Sequence, residues 1–132
     1  MRRAGRLEIV KSVTFDAAHF LPSAPEGHPN RRMHGHSFRL DVAVAGEPDP
    51  ETGVILHFAE FERALAEVRE ALDHRLLNEI DGLQMPTLEH LVVWIAGRLA
   101  PKLPGLARVT VRRDSIGESC TYYLPPPAAD PA

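Results

Sequence analysis

Between Phe15 and Asp41, two stretches that place an apolar residue at every second position flank a loop that proline and glycine keep irregular, and histidines stand at the inner ends of both stretches. A period of two, bounded by turn residues, marks β-strands buried on one face. In the first, about Leu7 to Phe20, the residues Ile9, Val13, Phe15 and Ala17 share the parity of His19. In the second, about His34 to Ala45, Phe38, Leu40, Val42 and Val44 share the parity of His34 and His36. Antiparallel pairing around the Leu21 to Met33 loop sets the end of the first strand beside the start of the second. It therefore brings three imidazoles together on the core side, at one mouth of the sheet.

A neutral imidazole on a buried face needs a partner for each ring nitrogen, and three converging rings are hard to satisfy with backbone alone. Three nitrogen ligands with no fourth protein ligand form the pattern of a catalytic zinc, which keeps one position for water or substrate. An isolated His-x-His is commonly chance or packing. Here the third histidine and the shared parity favour Zn(2+), with His19, His34 and His36 as its ligands.

The chain has 132 residues, enough for one domain with a substantial core, expected over 1–124 with a proline-rich tail at 125–132. A net charge of −3 argues against a general nucleic-acid or acidic-membrane binder. The single cysteine, Cys120, makes no internal disulfide, and no stretch approaches the roughly 20 apolar residues of a membrane span, so the cytoplasm is the expected compartment.

Pro22, Pro25, Gly27 and Pro29 break the loop, which carries Glu26, His28, Asn30, Arg31 and Arg32 beside the metal mouth. The arginines suit an anionic group, or simply solvent. A first amphipathic helix is predicted from about Phe58 to Leu72, with Phe61, Leu65, Val68 and Leu72 on one side. Asp73-His74 follows it, either a carboxylate–imidazole pair for proton transfer or a histidine complementing the helix dipole. Thr87 is a plausible N-cap for a second helix, whose stripe is Leu88, Val92, Ile95 and Leu99 and which Pro101 ends. Two further strands are expected, about Ala107 to Arg113 and Ser119 to Leu124. The order β-β-α-α-β-β is that of an α+β layer, two helices on a four-stranded antiparallel sheet.

Phe15-Asp-Ala-Ala-His19, Pro25-Glu-Gly-His28, His34-Gly-His36-Ser-Phe38, Phe58-Ala-Glu60, Leu72-Asp-His74, Leu77-Asn78 and Pro86-Thr-x-Glu89 stand in an order and spacing that resemble the 6-pyruvoyl-tetrahydropterin synthase family. The closest likeness is to its bacterial 6-carboxytetrahydropterin synthase branch, of the queuosine and deazapurine pathway. The resemblance spans about Val13 to Tyr122. It implies a tunnelling fold whose trimers close their sheets into a barrel and stack as hexamers. It also implies zinc on His19, His34 and His36, a pterin-like substrate of the 7,8-dihydroneopterin triphosphate type, proton transfer by Asp73 and His74, and substrate contacts from His28, Asn30, Thr87 and Glu89. In such enzymes zinc acts as a Lewis acid while triphosphate leaves, and the bacterial branch also releases acetaldehyde.

Two departures from the family pattern bear on the chemistry. Asn30 occupies the position of a catalytic cysteine base, and an amide takes no proton where a thiol can. At the end of the third strand, where the family keeps a glutamate for the donor edge of the pterin, the chain reads Val111-Arg-Arg-Asp-Ser115. Ungapped, Arg113 replaces the glutamate and offers only donors. Shifted by a one-residue bulge, Asp114 takes its place, and this second alignment is the expectation. The reaction implied is lyase chemistry altered from the family's standard one, with the standard reaction or a zinc-containing binding module as alternatives.

Overall fold

The computed structural model describes residues 5–126, so the end of the tail, 127–132, lies outside them. Strand β1 (Leu7–His19) pairs antiparallel with β2 (His34–Gly46), β2 with β3 (Leu106–Arg113), and β3 with β4 (Glu118–Tyr123), in the order β1-β2-β3-β4. The alternation sets the register. Phe15 lies opposite Phe38, Ala17 opposite His36 and His19 opposite His34, and the rings of Phe15 and Phe38 stack with centroids 5.0 Å apart. Had the pairing slipped by one residue, every apolar side chain would face the wrong side.

Helix α1 (Phe58–Leu72) buries Phe61, Ala64, Leu65, Val68 and Leu72 and lies on the β1 side of the sheet. Helix α2 (Leu88–Leu99) lies over β3 and β4, burying Leu88, Leu91, Val92, Ile95, Ala96 and Leu99. Between helices and sheet runs one apolar cluster that includes Leu40, Val42, Val109 and Val111. Burying each such side chain contributes roughly 1.5–3 kcal/mol.

The other face of the sheet is polar and cross-linked. Asp41 accepts from Ser12 Oγ at 2.5 Å and from Arg112 Nε at 2.7 Å, Arg108 pairs with Glu8, and Thr110 meets Thr121 at 2.8 Å. Burial pushes the Asp41 carboxyl up, but the Ser12 and Arg112 hydrogen bonds and the Arg39 and Arg112 charges outweigh it and hold the group below its usual range.

Three local devices hold the mouth of the sheet and its far end. Past β1, the side chain of Asn78 accepts from the Phe20 N–H at 3.0 Å and donates to the Phe20 carbonyl at 2.9 Å, which ends the strand at His19. Beyond α1 the chain turns back along the free edge of β1, where His74 N–H donates to the Asp16 carbonyl and Ala18 N–H to the Arg75 carbonyl. At the opposite end of the sheet, Gly105 approaches the Ala45 carbonyl so closely, at φ +85°, that a Cβ would lie 2.4 Å from it. The bulge expected at the end of β3 is absent. Pairing is regular from Arg108 to Arg113, and the irregularity sits between Ala43 and Val44, where Leu106 joins β2.

Candidate metal centre and its surroundings

The register delivers the three histidines to one point. His19 is 1% exposed, His34 and His36 are partly buried, and one nitrogen of each lies within 4.8 Å of the others. The carbonyls around them fix their tautomers. His19 Nδ1 lies 3.0 Å from the Pro86 carbonyl and His34 Nδ1 2.7 Å from the Arg32 carbonyl. A carbonyl only accepts, so both Nδ1 atoms carry the proton and both Nε2 atoms present a lone pair.

Those two bare Nε2 atoms nevertheless face each other at 3.0 Å, and His36 Nε2 is buried with no partner among the described residues. With no proton between the first two nitrogens, two lone pairs face each other, an arrangement that suits a shared electrophile such as a metal ion. Tetrahedral zinc, with Zn–N of about 2.0–2.1 Å, sets its ligand nitrogens about 3.3 Å apart, so the donor set fits such an ion. The carbonyls of Pro86 and Arg32 are the outer partners that aim the rings, a role usual around metal-bound histidine. Burial, then the charges of His19, Arg113 and His34, lower the His36 pKa to about 4, with Glu118 opposing. Burial likewise lowers His19, against its bond to Pro86. Neutral rings are the form that coordinates metal.

Asp73 and His74 meet at the free edge of β1. His74 Nδ1 lies 2.9 Å from Asp73 Oδ2, while Asp73 Oδ1 accepts the Asp16 N–H at 3.0 Å and Arg69 Nη2 stands 3.3 Å from Oδ2. The Asp16 N–H first, then His74, hold the Asp73 carboxyl below its usual range. With Nδ1 donating to the carboxylate, His74 Nε2 is left to accept a proton. The residue sits at φ 59° with its side chain 78% exposed. Asp16 to Ala18, Gly35 to Ser37 and His74 to Leu76 line one open cleft of about 540 Å³, to which the triad contributes His36.

The remaining sequence candidates are spread more widely. Asn30 is exposed on a short 3-10 turn capped by His28, its own N–H donating to His28 Nδ1 at 3.1 Å. Thr87 Oγ1 caps α2 by accepting the His90 N–H at 3.2 Å, next to the Pro86 carbonyl that holds His19. Glu89 is exposed on the first turn of α2, facing β4, where burial and then the Glu89 charge raise the Cys120 thiol.

Asp114 lies in the turn after β3, 3.2 Å from Arg39 Nε on the polar side of the sheet. Arg113 takes the inward place, because it shares parity with Val109 and Val111, both 0% exposed. That parity is visible in the strand pattern, whereas the Pro86 and Arg32 carbonyls carry no side-chain signal at all.

Comparison with known proteins agrees with this architecture. Residues 8–125 match the family model described as 6-pyruvoyl tetrahydropterin synthase. The chain is 40% identical over 127 residues to the 6-carboxy-5,6,7,8-tetrahydropterin synthase of Synechocystis sp., covering 89% of this chain and 93% of that one. It is 34% identical over 113 residues to the dihydroneopterin monophosphate aldolase of Pyrococcus furiosus, covering 86% and 90%. The solved structure of Caenorhabditis elegans 6-pyruvoyl tetrahydropterin synthase superposes with a TM-score of 0.81 at 23% identity, covering 95% of this chain and 100% of that one.

Proposed function

The chain belongs to the 6-pyruvoyl tetrahydropterin synthase family, and on that premise we propose that it is a zinc-dependent lyase that cleaves a carbon–carbon bond in the hydroxylated side chain of a dihydroneopterin phosphate. The observation that carries the reading is the convergence of one ring nitrogen each from His19, His34 and His36, with no proton between the Nε2 atoms of His19 and His34. Zinc bound there would act as a Lewis acid toward the side-chain hydroxyls, making them easier to deprotonate.

Asn30 bears on which bond breaks. Triphosphate elimination begins by removing a proton from carbon, the role of the cysteine that this chain lacks. Aldol-type cleavage instead removes a proton from oxygen. His74 Nε2 takes the proton of the second side-chain hydroxyl, and the O–H electrons form the new carbonyl. The bond between the first and second side-chain carbons then breaks, and its electrons move into the ring imine. His74 returns its proton to the first side-chain carbon. Products are 6-hydroxymethyl-7,8-dihydropterin and a phosphorylated glycolaldehyde, with no oxidant or reductant consumed. Asp73 orients His74 and stabilises its protonated form, and Arg31 and Arg32 give the mouth a cationic rim for the phosphate. The aldolase among the relatives supports this reading.

A second reading, the 6-carboxytetrahydropterin synthase reaction, is supported by the 40% identical relative of that name. It needs another carbon base. His28 is poorly disposed to serve, since its Nδ1 already accepts the Asn30 N–H and its other nitrogen then carries the proton. Mixing zinc-loaded protein with 7,8-dihydroneopterin monophosphate and triphosphate, and assaying glycolaldehyde phosphate, acetaldehyde and triphosphate, separates the two. Glycolaldehyde phosphate from wild type, with acetaldehyde gained only by Asn30→Cys, is the expected result. Acetaldehyde and triphosphate from wild type would establish the second reading, and no product from any substrate would favour a binding module.

A further inference from the structure

Resting on the pterin reading of this site, we infer that Arg113 and Glu118 form one donor–acceptor clamp for the heterocycle. In it Arg113 donates to the ring carbonyl, and Glu118 accepts from the adjacent ring N–H and exocyclic amine.

The placement follows from strand geometry. Arg113 and Glu118 lie directly opposite each other at the β3–β4 turn, so their side chains share a face. It is the face of the triad. Arg113 has the parity of the buried Val109 and Val111, and Glu118 that of Cys120 and Tyr122, which pack against the core.

The hydrogen bonding of the pair is incomplete. Arg113 Nη2 meets Glu118 Oε1 at 2.9 Å, and the Arg113 side chain is only 16% exposed, yet its Nε is buried with no partner among the described residues. A buried N–H without an acceptor is costly, and a salt bridge kept only for the surface has no need of one. The Glu118 side chain is 51% exposed and keeps lone pairs for another donor. Side by side, the pair offers a donor and then acceptors. A pterin presents the complement along one edge: carbonyl oxygen, ring N–H, amine. An arginine alone would face two donors with donors, and a carboxylate alone would face the carbonyl with negative charge. Arg113 and Asp114 therefore do not compete for a single place at the ring, because Arg113 serves the carbonyl and Glu118 takes the amine side.

Equilibrium binding of neopterin and of its 2,4-dioxo counterpart, in which a carbonyl replaces the amine, tests this on zinc-loaded protein by ring fluorescence. Wild type should prefer neopterin by at least roughly tenfold, since a site built to bond a donor is left with an unpaired acceptor by the analogue. Glu118→Gln should lose that preference while keeping its zinc content and circular dichroism spectrum. Arg113→Lys should weaken both ligands alike, because both keep the carbonyl. Preference retained in Glu118→Gln, or lost instead in Glu89→Gln, would overturn the clamp and leave the pterin reading standing. Failure of wild type to bind either ligand would overturn both.

Discussion

At the scale of single residues, the chemistry rests on where protons are forbidden. The Pro86 and Arg32 carbonyls hold protons on the far nitrogens of His19 and His34, and that leaves the near ones for metal. His34→Ala should abolish stoichiometric zinc, measured by elemental analysis of the purified protein, and zinc retained at one equivalent would reject the ligand set. The dyad is tested differently. His74→Ala should keep its zinc and lose turnover by about 10²–10⁴, the usual worth of a positioned proton-transfer group. Asp73 also links stability to pH. Its folded pKa is depressed, so the stability it contributes is present above the unfolded value of about 3.9 and is lost as pH falls through the lower folded value. Asp73→Asn should therefore flatten the acid limb of a denaturation-versus-pH series. The histidines were legible because parity along a strand is a local property. The bulge expected before Asp114 did not form, because an inference from motif spacing competed with plain alternation along β3, and alternation won.

At the scale of elements, helix α2 does two jobs. Its N-terminal cap, the Thr87 hydroxyl on the His90 N–H, fixes the turn that carries the Pro86 carbonyl to His19. Thr87→Ala should cost about 1 kcal/mol in chemical denaturation, as lost N-caps do, and should also weaken zinc affinity. An unchanged metal affinity would separate the cap from the site. Helix spans were readable to within a residue or two from their apolar stripes, since α1 starts at Phe58 and α2 ends at Leu99. The segment after α1 was not. It has no periodicity, and only tertiary contact shows that it hydrogen-bonds to the edge of β1, placing His74 by the cleft at a left-handed φ of 59°.

At the scale of the whole molecule, the proposed zinc would add to stability. Ligand binding to the native state alone adds about 4 kcal/mol at a thousandfold excess over Kd. Stripping zinc with a chelator should therefore lower Tm by roughly ten degrees or more, and readdition should restore it. A sheet of four strands leaves the β4 edge and much of β1 open, with Leu7 and Val10 exposed at 53% and 48%. Trimers stacked as hexamers are the proposed remedy, and sedimentation equilibrium giving a monomer would exclude them. No helix among the described residues is long and apolar enough to cross a membrane. The sequence by itself determined the elements, the strand faces and the convergence of the three histidines, because periodicity and parity are set by neighbours along the chain. Tertiary structure alone decided the imidazole tautomers and the turn that carries His74. Each of these depends on groups that are distant in sequence or on backbone carbonyls, which have the same chemistry in every residue and so leave no mark in the sequence.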